Sequence, residues 1–270
     1  MEELIILLKY LLLGVFQGIT EPIPVSSSGH LILLQELIGV ELGGLTFELI
    51  VNFASLIAVL IIYRDSISKL FLGATNYLIS RQKKDQEDFR FVMYLIIGTV
   101  PAVIIGLLLG DQIAEHLTGV KVIGATLLVT GTALWLIRNL RGRKRDSDLS
   151  IKDAVIVGLA QAVALIPGIS RSGATIVAAM ALGMKQETAL KFSFLLYIPV
   201  SVGGIVLAIS DVLKMPNIND LLIPYLIAFI GSLVASYFSL RWFMGIMARG
   251  NLVYFSVYCF VVGTLAILVF

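Results

Sequence analysis

The sequence predicts an all-α, polytopic membrane protein of six full transmembrane helices and two re-entrant helical hairpins, arranged as an inverted-topology repeat. Three observations carry that prediction. The 270 residues are 58% hydrophobic and 14% charged, with a mean hydropathy of +0.97, too apolar for a soluble domain. Six apolar stretches approach the roughly 20 residues that a full crossing needs. A polar, proline- and serine-bearing motif occurs twice, 144 residues apart, each time between apolar runs too short to cross. Such paired interruptions are the sequence sign of discontinuous helices meeting near the midplane.

In chain order, Leu4 to Phe16 and Leu31 to Ile38 flank the first motif and read as the arms of a re-entrant hairpin. Pro22 disfavours helix at Glu21, and both Pro22 and Pro24 lack a backbone donor, so a helix starting near Glu3 should stop there. Irregular backbone is tolerated at membrane depth only where it is buried in protein or lines a water-filled cavity. Full spans follow at about 45 to 63, 91 to 110 and 120 to 137. Ala154 to Ile166 and Ala174 to Leu182 form the second hairpin, and spans at about 188 to 208, 222 to 243 and 251 to 270 complete the chain. One hairpin plus three crossings per half is an odd number of crossings, which inverts the second half. The natural boundary is Asp146-Ser147-Asp148, dividing a single membrane domain into repeats 1–145 and 146–270.

Two segments are rich in Lys and Arg: Arg64, Lys69, Arg81, Lys83, Lys84 and Arg90, then Arg138, Arg141, Arg143, Lys144, Arg145 and Lys152. The positive-inside rule puts both in the cytoplasm, which sets both termini and the mouth of the first hairpin outside. The first apolar run has no basic leader and no small-residue cleavage site, so no cleavable signal peptide is expected. The single cysteine, Cys259, excludes an internal disulfide and thiolate metal clusters. The net charge of +2 is small and its placement in two loops matters more than its sum, so no nucleic-acid footprint is visible. Gly203, Gly204, Gly231 and Ala235 read as close helix packing. Trp135, Trp242, Tyr63 and Tyr197 read as interfacial aromatics.

The chemistry sits in the motifs. The first reads Gln17-Gly-Ile-Thr-Glu21-Pro-Ile-Pro-Val-Ser26-Ser-Ser-Gly-His30, and the second centres on Pro167-Gly-Ile-Ser170-Arg-Ser-Gly-Ala-Thr175. A charge at the bilayer centre costs roughly 2.5–3.5 kcal/mol, so ionisable residues there mark a site by default. The guanidinium fork of Arg171 and the backbone donors of Gly168 to Gly173 suit phosphate oxygens, with Ser170, Ser172 and Thr175 adding hydroxyls. The first hairpin would then supply a serine nucleophile, with Glu21 or His30 as its base; the other would protonate the leaving oxygen or hold a divalent cation, Mg²⁺ or Ca²⁺. The resulting reaction class is hydrolysis of a phosphoanhydride on a lipid. Glu48 and Asn52, four residues apart on one helix face, should support that cavity. Ser26 and Ser28 suit helix caps as well as substrate contacts. Gln161, the counterpart of Gln17, reads as a scaffold hydrogen bond.

These motifs resemble the two signatures of undecaprenyl pyrophosphate phosphatases of the BacA, bacitracin-resistance type, bacterial enzymes that recycle the carrier lipid of cell-wall synthesis. The likeness covers nearly the whole chain, including Phe47-Glu48 and Phe192-Ser-Phe-Leu-Leu. It implies removal of the terminal phosphate of undecaprenyl diphosphate at a site open to the outer face of the bacterial plasma membrane, with a divalent cation. By matching positions it implies Glu21 as metal ligand or base, Ser27 as nucleophile, His30 as acid/base partner, and Arg171 with Ser170, Ser172 and Thr175 as the phosphate clamp. Gln17, Ser26, Ser28 and Gly173 fall in the same motifs as substrate contacts. Gln17 stands at the first acidic position of a Glu-x-x-x-Glu form; it can be an oxygen ligand beside Glu21 but not a base.

Two alternatives stay open at this level. His30 could be the phosphorylated nucleophile, with Ser27 only a donor, and the architecture also suits a polyprenyl-phosphate transporter or flippase. A carrier has no need of Ser27 between Glu21 and His30, which favours the enzyme. The sequence permits a homodimer without requiring one. The decisive expectation is that the hairpin tips touch, bringing Arg171 within reach of Ser27 and Glu21.

Overall fold

The computed structural model describes residues 2–39, 45–213 and 218–270. Their backbone is almost wholly helical: α1 (Glu2–Thr20), α2 (Ser27–Ile38), α3 (Leu45–Ile62), α4 (Arg64–Ser80), α5 (Gln86–His116), α6 (Val120–Ile137), α7 (Ile151–Val163), α8 (Arg171–Ala181), α9 (Gln186–Leu213), α10 (Ile218–Arg249) and α11 (Val253–Val269). Among the described residues the only extended pairing is an isolated bridge between Lys144 and Met184. Helices α1, α5, α6, α9 and α10 are long and apolar enough to cross a membrane, and α3 qualifies together with α4 if the bent pair is one span. Helix α11 is apolar and slightly shorter. The protein is a polytopic membrane protein.

Two segments differ from the sequence reading. Helix α1, expected as a short hairpin arm, has the length of a span. The basic segment after α3, read as a loop, contains α4, which turns away from α3 by 74°. Its charges hide a buried face of Leu70, Gly73 and Ala74. This face packs on α5, where Lys69 pairs with Asp88 at 3.8 Å and the rings of Tyr77 and Phe89 stack 4.9 Å apart.

Each hairpin turn is tied to a long helix by hydroxyls. Helix α1 ends at Thr20 because residue 22, which would bond the Gly18 carbonyl, is a proline. Ser236 and Ser239 of α10 replace the missing donors, at 3.1 Å to the Gly18 carbonyl and 2.8 Å to that of Ile19. In the second hairpin, Thr126 and Thr130 of α6 donate to the carbonyls of Pro167 at 2.8 Å and Gly168 at 3.2 Å. Ser26 caps α2 and Ser170 caps α8, each accepting the amide three residues on.

Small residues let these helices approach. Gly14 of α1 lies against the backbone of Ala228 in α10, and Gly158 of α7 against Gly98 in α5, with no room for a Cβ at either position. Gly14 and Gly158 are 144 residues apart, so equivalent residues of the two motifs make equivalent close contacts. The tips meet at a third glycine pair, where a Cβ on Gly29 would lie 2.9 Å from the Cα of Gly168. Beside it Ser172 donates to the Ile23 carbonyl at 3.2 Å, so one hairpin turn is bonded to the other.

Candidate active site

The touching tips put the first residues of two helices beside one carboxylate. Ser27 opens α2 and Arg171 opens α8. Glu21 accepts from Arg171 Nη2 on Oε1 at 3.0 Å, and on Oε2 from Ser27 Oγ and, at 3.0 Å, from Gln17 Nε2. The Glu21 side chain is 8% exposed and that of Arg171 25%, so the pair is held largely away from solvent. Removing one partner would leave a buried, uncompensated charge.

Arg171 is oriented from behind. Its guanidinium lies over the Tyr197 ring, 4.5 Å from the centroid, and Nη1 donates to Ser201 Oγ at 3.3 Å. Tyr197 in turn donates to Asn52 Oδ1 at 2.7 Å. The sequence reading assigned Tyr197 to the membrane interface; instead it is buried within α9, as Tyr63 is at the end of α3, whereas Trp135 and Trp242 are exposed. A tyrosine midway along a span, rather than at its end, was the signal available for finding it. Ser201 carried none.

In front of the pair lies a cavity of about 570 Å³. Glu21, Ser26, Ser27, Ser28, Glu48, Asn52, Ser170 and Arg171 form its polar part, and Ile32, Phe53, Ile113, Leu165, Ile169 and Ile205 an apolar wall. Behind the pair is a second space of about 20 Å³, large enough for roughly one water, lined by Ser55, Ser172, Thr175, Ser193 and Tyr197.

Five residues predicted for the site lie off the main cavity, the fully buried Gln17 among them. Thr175 bonds the Arg171 and Ser172 carbonyls in its own helix, Ser172 ties the hairpins together, and the Gly173 amide is used by the Ser170 cap. Their donors are thus spent within the protein: Thr175 on its own helix, Ser172 on the first hairpin turn, and the Gly173 amide on the cap that a helix N-terminus needs. His30 is likewise turned away from the reacting groups. Nδ1 lies 2.8 Å from the Ser26 carbonyl and Nε2 2.9 Å from the Tyr258 hydroxyl, with the two rings stacked 5.4 Å apart. A carbonyl can only accept, so Nδ1 carries the proton and Nε2 accepts from Tyr258. The residue so clamped, Ser26, has φ 69°, a conformation that favours glycine. Tyr258 was not anticipated, since only the tertiary fold brings α11 beside α2.

The two glutamines differ. Gln17 bonds Glu21 through Nε2 but its Oε1 is buried without a partner. Gln161, expected as a scaffold bond, lines the cavity with neither side-chain atom bonded. Gln17 Oε1, Glu21 and the nearby Glu48 are oxygen donors suited to Mg²⁺ or Ca²⁺. Among the described residues there is no cluster of three His, Cys, Asp or Glu to cage a metal. A cation held by these oxygens would have to take its other ligands from phosphate and water.

Residues 10–265 match the family model described as bacitracin resistance protein BacA. Among similar proteins, Undecaprenyl-diphosphatase 2 of Bacillus thuringiensis is 60% identical over 268 residues, 99% of both chains. Undecaprenyl-diphosphatase 1 of Bacillus licheniformis is 58% identical over 269 residues, also 99% of both. Undecaprenyl-diphosphatase 1 of Halalkalibacterium halodurans is 59% identical over 266 residues, covering 98% of this chain and 97% of the relative. Both hairpin motifs lie inside the matched region, and the chain belongs to the BacA family.

Proposed function

We propose that the protein hydrolyses undecaprenyl diphosphate to undecaprenyl phosphate and inorganic phosphate, returning the carrier lipid to cell-wall synthesis. The observation that carries this reading is the single Glu21 carboxylate bonded at once to Ser27 and Arg171, at the polar end of a cavity with an apolar wall. The names of the relatives support the same substrate.

In this reading Glu21 takes the proton of Ser27 as Oγ attacks the terminal phosphorus. The bond from that phosphorus to the bridging oxygen breaks, and the lipid monophosphate leaves. Glu21 gives its proton to the departing lipid phosphate and, ionised again, takes one from the water that attacks the phosphoserine; returning that proton to Oγ releases inorganic phosphate and restores the hydroxyl. Arg171, backed by Tyr197 and Ser201, presents its remaining donors to the phosphate and balances the charge that develops there. Both ring nitrogens of His30 are occupied, which supports Ser27 rather than His30 as the nucleophile. A divalent cation held by Gln17 Oε1 and Glu21 would neutralise phosphate charge.

The chain is read as two inverted repeats, 1–145 and 146–270, supported by the equivalent contacts of Gly14 and Gly158. With both basic segments in the cytoplasm, the termini and the cavity mouth face outward. The test is phosphate release from detergent-solubilised C55 diphosphate by the unmodified protein and by Glu21→Gln, Ser27→Ala and Arg171→Ala. Release lost in all three folded variants supports the hydrolase; well-folded unmodified protein that releases nothing in any divalent ion points to a carrier.

A further inference from the structure

We propose that Gln161 binds the lipid-side phosphate of the diphosphate, so that the site grips both phosphates and not only the one transferred. The inference rests on the hydrolase reading. Gln161 is 1% exposed and lines the cavity that Ser27 and Arg171 also line, yet neither its Oε1 nor its Nε2 has a partner. A buried amide left unbonded is costly, and a position used only for packing is better filled by leucine or methionine.

The repeat explains how the amide came to be free. Gln17 spends its Nε2 on Glu21, four residues on and one helical turn away. Four residues after Gln161 the chain has Leu165, so the equivalent amide meets no carboxylate. One half of the duplication thus keeps a carboxylate for reaction, and the other keeps a neutral donor for binding.

Charge and position name the ligand. Among the described cavity-lining residues Arg171 is the only cation, set against the carboxylates of Glu21 and Glu48. Arg171 is committed beside Ser27, where the transferred phosphate must lie. The second phosphate therefore needs an uncharged donor, and Nε2 offers two N–H groups. Leu165 and Ile169, close in sequence to Gln161, belong to the apolar wall that would take the prenyl chain. Gln161 stands where the headgroup meets the chain.

The test uses a non-hydrolysable prenyl methylenebisphosphonate as probe, with Gln161→Leu and, as a second variant of similar volume, Gln161→Met. Each should bind the probe roughly tenfold more weakly, the worth of a hydrogen bond to a charged group. KM for C55 diphosphate should rise comparably with kcat changed far less, while inhibition by inorganic phosphate, which needs only the Arg171 end, stays unchanged. Thermal stability should be equal or higher, because no protein hydrogen bond is lost. Unchanged probe affinity in either folded variant overturns the proposal, as does loss of folding in both, which would show a structural bond. Unmodified protein that binds the probe through Gln161 but releases no phosphate would instead defeat the hydrolase reading alone.

Discussion

Ser27 and Arg171, 144 residues apart, each open the helix that follows a hairpin turn, and both bond the carboxylate of Glu21. A duplicated position thus became a hydroxyl in one copy and a guanidinium in the other, and the contact between the turns joins them. Because the three side chains share one network, their removal should be strongly non-additive. Glu21→Gln is expected to lower kcat about 10²–10⁴-fold, the range for loss of a general base. Ser27→Ala should cost at least as much, and the double variant little more than the worse single. Fully multiplicative losses in steady-state kinetics would separate the two residues mechanistically.

The same pair predicts a folding effect. Arg171→Ala leaves Glu21 charged and unpaired in a buried setting and should destabilise the protein by about 3–5 kcal/mol. Adding Glu21→Gln to it should recover most of that loss in a detergent thermal-unfolding assay. No recovery would mean that Arg171 stabilises the fold through Tyr197 and Ser201 instead.

His30 is expected to act by holding the Ser26 turn that presents Ser27. Tyr258→Phe removes the donor to Nε2 and should slow the reaction several-fold without moving the pH profile of kcat/KM. His30→Gln should be slower still, again with both limbs of the profile in place. A limb that disappears in the histidine variant would make His30 a proton-transfer group after all.

Gly14 and Gly158 test the packing. A Cβ at either has no space against the backbone of Ala228 or Gly98. Alanine at each should destabilise by about 1–3 kcal/mol through overpacking, seen as a lower melting temperature. Gly203, expected from the sequence to pack closely, has nothing near its missing Cβ and should accept alanine without loss.

Chelation should abolish phosphate release, and Mg²⁺ or Ca²⁺ should restore it. If Gln17 Oε1 is a ligand, Gln17→Leu should raise the cation concentration needed for half-maximal activity, and Gln17→Glu should lower it. Activity indifferent to chelator would remove the cation from the reaction.

Much of this site is legible in the sequence. Prolines at 22 and 24 end α1 where expected, and the 144-residue offset identified the two turns that meet. Glu48 and Asn52, which share a helix face and would be costly against lipid, line the cavity as expected. Helix α4 was missed because its Arg and Lys residues read as a solvated loop, although its buried face of Leu70, Gly73 and Ala74 is short and interrupted by charge.

By itself, the sequence determined the helical membrane class, the two hairpin turns and the residue types that react with phosphate, because hydropathy, proline and intramembrane charge act through neighbours along the chain. The tertiary structure decided which of those residues face one another. It turned His30 toward Tyr258, buried Tyr197 under Arg171, spent Ser172 on the first hairpin turn and Gly173 and Thr175 on their own helix start, and left Gln161 unbonded on the cavity wall. A hydrogen bond depends on the direction and separation of groups far apart in sequence, and only the packing of α6, α9, α10 and α11 around the hairpins sets those.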